Sequence, residues 1–189
     1  EKKGPKDREP TVLEFSLTTS STNPEFKAIA EAIAAAWNEA GAKVDLKVYD
    51  SDLGQNIIRP RKFDALLFGE VIGPDLDLYG FWHSSQRLSP GLNIAQYTNS
   101  KADKILEEAR SISDEKSRIS KYREFEELVL ADVPAGFVYS PDFVYLMPTK
   151  VRGTNIQSLT TPSDRLSSVE DWYINTDHVW KIFSTRINR

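Results

Sequence analysis

The 189-residue sequence contains no cysteine, a single methionine and only two histidines. Without cysteine there is no disulfide, no thiolate metal site and no cysteine nucleophile. His83 and His178 stand far apart in the chain, so a histidine metal pair would have to be assembled by the tertiary fold. No apolar run is long enough to span a bilayer, and no signal peptide or lipid-attachment cysteine is present. Any export signal would lie outside these residues. A basic excess is also missing: the formal charge of −4 argues against nucleic acid or an anionic membrane as the main partner. Neither the G-x-S-x-G elbow of serine hydrolases nor the G-x-x-x-x-G-K-[ST] phosphate loop occurs, and no internal repeat or low-complexity tract stands out. No catalytic machinery, cofactor site or metal site is visible. What remains, 40% hydrophobic and 28% charged residues, suits a globular chain with a substantial core.

The most informative stretch is Ala28 to Asp50, AIAEAIAAAWNEAGAKVDLKVYD, which reads as an alanine-rich helix, a glycine stop and an alternating strand. Asn23 and Pro24 occupy the N-cap and first-turn positions, and Thr22 with Glu25 has capping-box spacing. Phe26, Ile29, Ala30, Ile33 and Trp37 recur in steps of three and four residues, which predicts one buried stripe with Trp37 in the core. Gly41 supplies the left-handed position after the helix. Val44, Leu46 and Val48 alternate with charged residues, as in a strand with one buried face at the edge of a sheet.

Elsewhere, Glu1 to Pro10 reads as a solvated, flexible lead-in and residues 11–189 as a single lobe. Thr11 to Thr18 is expected to be the first, central strand. Phe63 to Gly69, apolar on both faces, is expected inside the sheet. Leu76 to His83 has helical spacing, and Ser100 to Ser111 and Asp114 to Ala131 read as a helix pair with Ser113 as the cap between them. Gly136 to Met147 has the composition of one or two strands broken at Pro141, and Trp172 to Ile174 and His178 to Phe183 have aromatic strand character. Phe15, Leu17, Ile29, Ile33, Trp37, Leu66, Phe68, Ile105, Leu106, Tyr122, Phe125 and Val129 are expected to share one core.

Glu70, Asp75 and Asp77 crowd a glycine-containing turn after the Phe63 strand. Carboxylates so placed can form a general acid/base pair, cap the following helix or receive a ligand ammonium group. In open α/β sheets ligands sit beyond the carboxyl ends of strands, where this turn falls. Trp82 and Tyr79 offer flat, partly apolar contact surface, with core packing the competing role. His83 suits a helix C-terminal contact or a cleft wall better than a metal ligand.

In order and spacing, four segments together resemble the family 5 extracellular solute-binding proteins, the peptide- and nickel-binding components of bacterial ABC importers. These are the helix–Gly–strand unit, KFDALLFGE (Lys62 to Glu70), GLNIAQYTNSKAD (Gly91 to Asp103), similar to the family's G-x-N-x-x-x-Y-x-N-x-x-x-D segment, and FEELVLADVPAGFVYSPDFVYLMP (Phe125 to Pro148), similar to its e-x-x-l-x-x-d-x-P stretch. The resemblance implies an α/β fold of the type II periplasmic-binding-protein kind, an open mixed sheet flanked by helices. It further implies that this chain is the second of two lobes, closing by a hinge on a peptide or peptide-like solute and delivering it to an ABC permease. Its partners would be the solute, the permease and the missing first lobe, with a periplasmic or extracellular location and lipid anchoring through a segment absent here.

Peptide-binding members pair an acidic residue shortly after the matching glycine with the peptide's amino terminus. Here the stretch reads GEVIGPDLD, with Gly73 at that position, Asp75 displaced and Glu70 arriving early. Asn93 and Tyr97 match positions near the cleft or bracing it. The ligand-binding candidates are thus Glu70, Asp75, Trp82, Asn93 and Tyr97. A hydrolase using the Glu70/Asp75/Asp77 cluster and a sensory domain that shares the fold are the alternative functions.

Overall fold

β1 (Glu14–Ser20) is the middle of three parallel strands, flanked by β2 (Lys43–Tyr49) and β3 (Ala65–Leu66) in the order β2-β1-β3. The computed structural model describes residues 12–73, 75–156, 159 and 161–175. The lead-in and the His178 to Phe183 segment lie outside the described residues. Two compact units are formed. The first consists of Asp77–Gly136 with the described part of Glu1–Glu70, and the second of Val71–Leu76 with the described part of Phe137–Arg189.

β1 is central as expected, with Ser16, Leu17, Thr18 and Thr19 all buried. Its register runs Leu17 to Leu46 on one side and Leu17 to Ala65 on the other. Two of its buried hydroxyl residues have partners: Ser16 donates from both its amide (2.9 Å) and its hydroxyl (2.7 Å) to the Asp64 carboxylate, and Thr19 donates to the Leu67 carbonyl (3.2 Å). Those bonds to Ser16 hold the Asp64 carboxyl below its ordinary pKa. β2 sits at the edge, as its alternation predicts. β3 does not lie inside the sheet. It is two residues long, pairs only with β1 among the described residues, and leads into an exposed Phe68. An all-apolar run was expected to be covered on both edges, whereas here only β1 covers it.

The helix α1 (Pro24–Glu39) starts where the sequence predicts, with the Asn23 side chain accepting the Glu25 amide at 2.9 Å. The capping box is not formed, because the Thr22 hydroxyl pairs with Ser20 at 2.7 Å instead. At the other end Gly41 adopts φ +99°, its amide donating to Asn38 and that of Ala42 to Trp37, both at 3.0 Å. This is the Schellman arrangement, in which a side chain at the left-handed position would be strained. The residues buried on the sheet are Ala30 and Ala34, with Ile33 packed against them. Trp37 is not a core residue: it is 39% exposed and leans against Phe15 at 5.3 Å between ring centroids. Small alanines let the helix lie close to the sheet, leaving a bulky indole at its last turn no room inside.

Within the same unit α2 (Tyr79–Trp82), α3 (Ser100–Ser111) and α4 (Glu115–Asp132) enclose a second cluster. Trp82, Tyr97, Ala102, Leu106, Phe125 and Val129 are its buried members. The single shared core expected from the periodic faces is therefore two clusters, one under the sheet (Leu17, Ala30, Ala34) and one among the helices. The cap of α4 is Asp114, which accepts the Ser117 amide and hydroxyl, rather than Ser113. A carboxylate accepts two donors where a serine hydroxyl offers less, which explains the shift of one residue.

In the second unit β4 (Val151–Arg152) pairs antiparallel with β5 (Tyr173–Ile174). The strands expected between Gly136 and Met147 are not formed. This segment carries no ladder among the described residues, and Phe137, Val138, Tyr139, Phe143, Val144, Tyr145 and Leu146 are exposed.

Candidate ligand-binding edge

Because β1, β2 and β3 run parallel, their carboxyl ends open onto one edge of the sheet. The chain leaves β1 through α1 toward β2 on one side, while β3 lies on the other, so the strand order reverses at β1. Such reversal points leave a crevice between the outgoing loops. Three short segments line this edge. The Ser20 to Asn23 turn is rich in hydroxyls, with Ser21 donating to the Asp50 carboxylate at the end of β2. Beyond β3, the chain runs from Leu67 through Gly69 to Glu70, and the Phe26 ring of α1 packs beneath Gly69 so closely that a Cβ there would sit 3.0 Å from it.

Glu70 emerges from this edge with an exposed surface, yet surrounding protein desolvates its carboxyl and pushes the pKa up to about 7. Burial is the cause, with no cation acting on the group among the described residues. A carboxyl so placed gains most from an incoming positive charge. Asp75 is exposed in the second unit. Asp77, the third carboxylate of the turn, is committed to structure. It accepts the Tyr79 amide at the start of α2 at 3.1 Å and pairs with Arg110 at 2.9 Å, while Arg110 also lies over the Tyr79 ring at 4.4 Å.

The other expected ligand residues are placed inside the helical cluster. Asn93 is completely buried, and its side-chain amide donates to the carbonyls of Trp82 (3.1 Å), His83 (3.1 Å) and Tyr97 (3.0 Å) while its oxygen accepts the Tyr97 amide (3.0 Å). Tyr97 is buried with its hydroxyl donating to Asp132 at 2.7 Å, and burial together with that carboxylate pushes its pKa up to about 12. Trp82 packs edge-on against Tyr97 and Phe125. In this arrangement the three brace the unit: Asn93 and Tyr97 take the bracing role, and Trp82 the core-packing role, that were the alternatives to a ligand contact. The reason is local: the amide of Asn93 saturates backbone groups that the loop from Trp82 to Tyr97 would otherwise bury unpaired.

His83 is likewise buried, stacked on Tyr79 at 4.1 Å, rather than on a cleft wall. Its Nδ1 accepts the Ser85 amide at 3.1 Å, and its Nε2 faces Glu107 at 3.4 Å. Among the described residues no group of three or more histidines, aspartates and glutamates could hold a metal ion, and His178 lies outside them.

The spacing of the family-like segments acquires a physical reason. In G-x-N-x-x-x-Y-x-N-x-x-x-D, Gly91 allows a close approach, since a Cβ would fall 2.2 Å from the Gln86 carbonyl oxygen. Asn93 and Tyr97 act as described, Asn99 caps α3 and donates to Asp132 at 2.8 Å, and Asp103 accepts the Ser84 amide and hydroxyl. Asp132 is the aspartate of the other segment, so the two segments meet at one carboxylate, held below its ordinary pKa by Tyr97 and Asn99.

Arg61 was not singled out from sequence. It adopts φ +56° and its guanidinium donates to the carbonyls of Ile58 (2.7 Å), Arg87 (3.2 Å) and Gly91 (2.7 Å), tying the chain ahead of β3 to the loop that holds Asn93. Nothing in the string RPRKFD marks it, because arginine is an uncommon residue for that backbone region.

Residues 1–89 match the family described as bacterial extracellular solute-binding proteins, family 5 Middle. The oligopeptide-binding protein AppA of Bacillus subtilis is 29% identical over 170 residues, covering 89% of this chain and 30% of that protein. The dipeptide-binding protein DppE of the same organism is 29% identical over 153 residues, covering 80% of this chain and 28% of that protein. The structure of AppA in complex with a nonapeptide matches with a TM-score of 0.68 at 26% identity, covering 90% of this chain and 33% of that one. The chain thus spans roughly a third of the length of the relatives it matches.

Proposed function

We propose that this chain is part of a family 5 extracellular solute-binding protein, a solute binder rather than an enzyme, and that it forms one wall of a cleft that closes on a peptide or peptide-like solute. The observation that carries this reading is Glu70: a desolvated carboxyl without a countercharge among the described residues, at the carboxyl edge of a parallel sheet where the strand order reverses. A solute ammonium or other cationic group arriving there restores the solvation the carboxyl has lost. Asn93, Trp82 and Tyr97 support the unit that carries Glu70 from within.

The opposite wall belongs to a first lobe outside this chain, and affinity comes from contacts made only when a hinge brings the lobes together. The closed form delivers solute to an ABC permease outside the cytoplasm, the parent protein being held there by a lipid anchor beyond these residues. A peptide is favoured because the AppA and DppE proteins, named for oligopeptides and dipeptides, match most of this chain. A carboxylate-based hydrolysis is disfavoured by the engagement of Asp77 with Tyr79 and Arg110. No helix among the described residues is long and apolar enough to cross a membrane. The test is to purify the full-length protein, denature it and identify the released solute by mass spectrometry. Peptides should be recovered, and recovery of a metal chelate or a sugar instead would overturn the assignment.

A further inference from the structure

His83 is a buried ionisable residue that the proposed function does not use. It stands where α2 ends and the short turn Ser84–Gln86 begins, and its side chain caps that turn. Its Nδ1 accepts the Ser85 amide at 3.1 Å. An amide only donates, so Nδ1 is unprotonated and the neutral ring carries its proton on Nε2. The Ser85 hydroxyl, at 2.8 Å, then donates to Nδ1 as well. Nε2 is buried without a hydrogen-bond partner among the described residues. It faces two carboxylates of α3, Glu107 at 3.4 Å and Asp103 at 3.9 Å. Tyr79 of α2 stacks on the imidazole at 4.1 Å, and the Arg110 guanidinium of α3 lies over that tyrosine at 4.4 Å.

Histidine changes charge within the physiological pH range. Here the second proton can enter only at Nδ1, and a protonated Nδ1 cannot accept the Ser85 amide. The carboxylates of Asp103 and Glu107 compensate the new charge, while the Ser85 amide is left facing another donor. Much hangs on this turn. The Ser84 carbonyl accepts the Arg87 amide at 3.3 Å, and the Gln86 carbonyl accepts the Asn93 amide at 3.1 Å. The carbonyls of Arg87 and Gly91, in the same loop, hold the Arg61 guanidinium. Arg61 lies just ahead of β3, the strand that leads to Glu70.

We infer that His83 is a proton-operated latch: a second proton, taken up at Nδ1, uncaps the Ser84–Gln86 turn and slackens the loop through which Arg61 ties β3 to the helices. Its bearing on solute binding at Glu70 rests on the function proposed above, whereas the latch itself does not.

The test uses the full-length protein, isotope-labelled in histidine, and follows the imidazole nitrogens by NMR and amide exchange by mass spectrometry as the pH is lowered. The His83 signals are those absent from a His83→Asn variant, whose side-chain oxygen can still accept the Ser85 amide but takes up no proton. His83→Gln serves the same identification if His83→Asn does not fold. At neutral pH His83 should show a bare Nδ1 and a protonated Nε2. As the ring titrates, protection of residues 84–88, corrected for the intrinsic pH dependence of exchange, should fall about five- to tenfold, the loss of one hydrogen bond. His83→Asn should keep its protection over the same range, and the Pro24–Glu39 helix should change in neither protein. A proton on Nδ1 at neutral pH overturns the inference, as does a ring that stays neutral until the protein unfolds in acid. Titration without loss of protection, or an equal loss in His83→Asn, overturns it too. A latch that opens in a protein binding no peptide leaves the inference standing and removes the functional proposal instead.

Discussion

The two halves of the first unit are built on different principles. The helical half buries Trp82, Tyr97, Leu106, Phe125 and Val129 and fastens them with Asn93 and Asp132. The sheet half relies on Leu17 with Ala30 and Ala34, and fills its central strand with Ser16, Thr18 and Thr19. Large aromatic residues stabilise the first by area, whereas the second depends on hydrogen bonds to Asp64 and Leu67 and on close helix approach. The half that carries the candidate ligand edge is thus the more thinly packed one. That distribution suits a scaffold in which a rigid helical block holds a ligand edge that must meet another surface.

The largest effects should come from the helical half. Asn93→Ala leaves several buried carbonyls without donors and should cost about 3 kcal/mol or more, read from urea unfolding. Phe125→Ala should cost about 3–5 kcal/mol. By contrast Trp37→Ala in the sheet half should cost about 1 kcal/mol, despite removing a larger side chain, because the indole is on the surface. Equal losses from Phe125→Ala and Trp37→Ala would erase the contrast between the halves.

Titration sharpens the same comparison. Tyr97 has a folded pKa raised to about 12 from an ordinary value of 10.0, so the folded state holds the extra proton between those values and stability falls as pH rises through that window. Asp132, its partner, has a lowered folded pKa, so its contribution is present above the ordinary carboxylate value and is lost as pH falls through the folded one. Tyr97→Phe should remove the alkaline loss and Asp132→Asn should flatten the acid limb of the stability profile. Solvent screens the exposed side chain of Glu70, so the effect at the ligand edge should be the smallest. Glu70 has a folded pKa raised to about 7 from 4.5, so stability declines gently as pH rises across that interval, and Glu70→Gln should abolish the decline. An unchanged profile in Glu70→Gln would show the carboxyl to be freely solvated.

Local signals carried the fold well where one residue type has one job. Asn23, Gly41, the alternation of β2 and the apolar face of α4 all do in the structure what their spacing implies. Trp37, Phe68 and the Gly136 to Met147 segment did not follow, because periodicity reports which residues share a face but not whether another surface exists to cover it. Asn93, Trp82 and Tyr97 were legible as special residues, but the sequence left bracing and ligand contact as alternatives for them. A polar residue fixed in a motif looks the same from sequence whether it faces a solute or saturates buried carbonyls. Arg61 was invisible because its role depends on a left-handed backbone and on carbonyls roughly 30 residues away in the chain.

The central claim is that this chain supplies half of a binding cleft, and isothermal titration of one peptide against the full-length protein and against the 189-residue chain tests it most directly. The account predicts binding to the full-length protein and at least about 100-fold weaker binding to the chain, equivalent to roughly 2.7 kcal/mol. Comparable affinity in the two would contradict it, since one wall alone would then hold the solute.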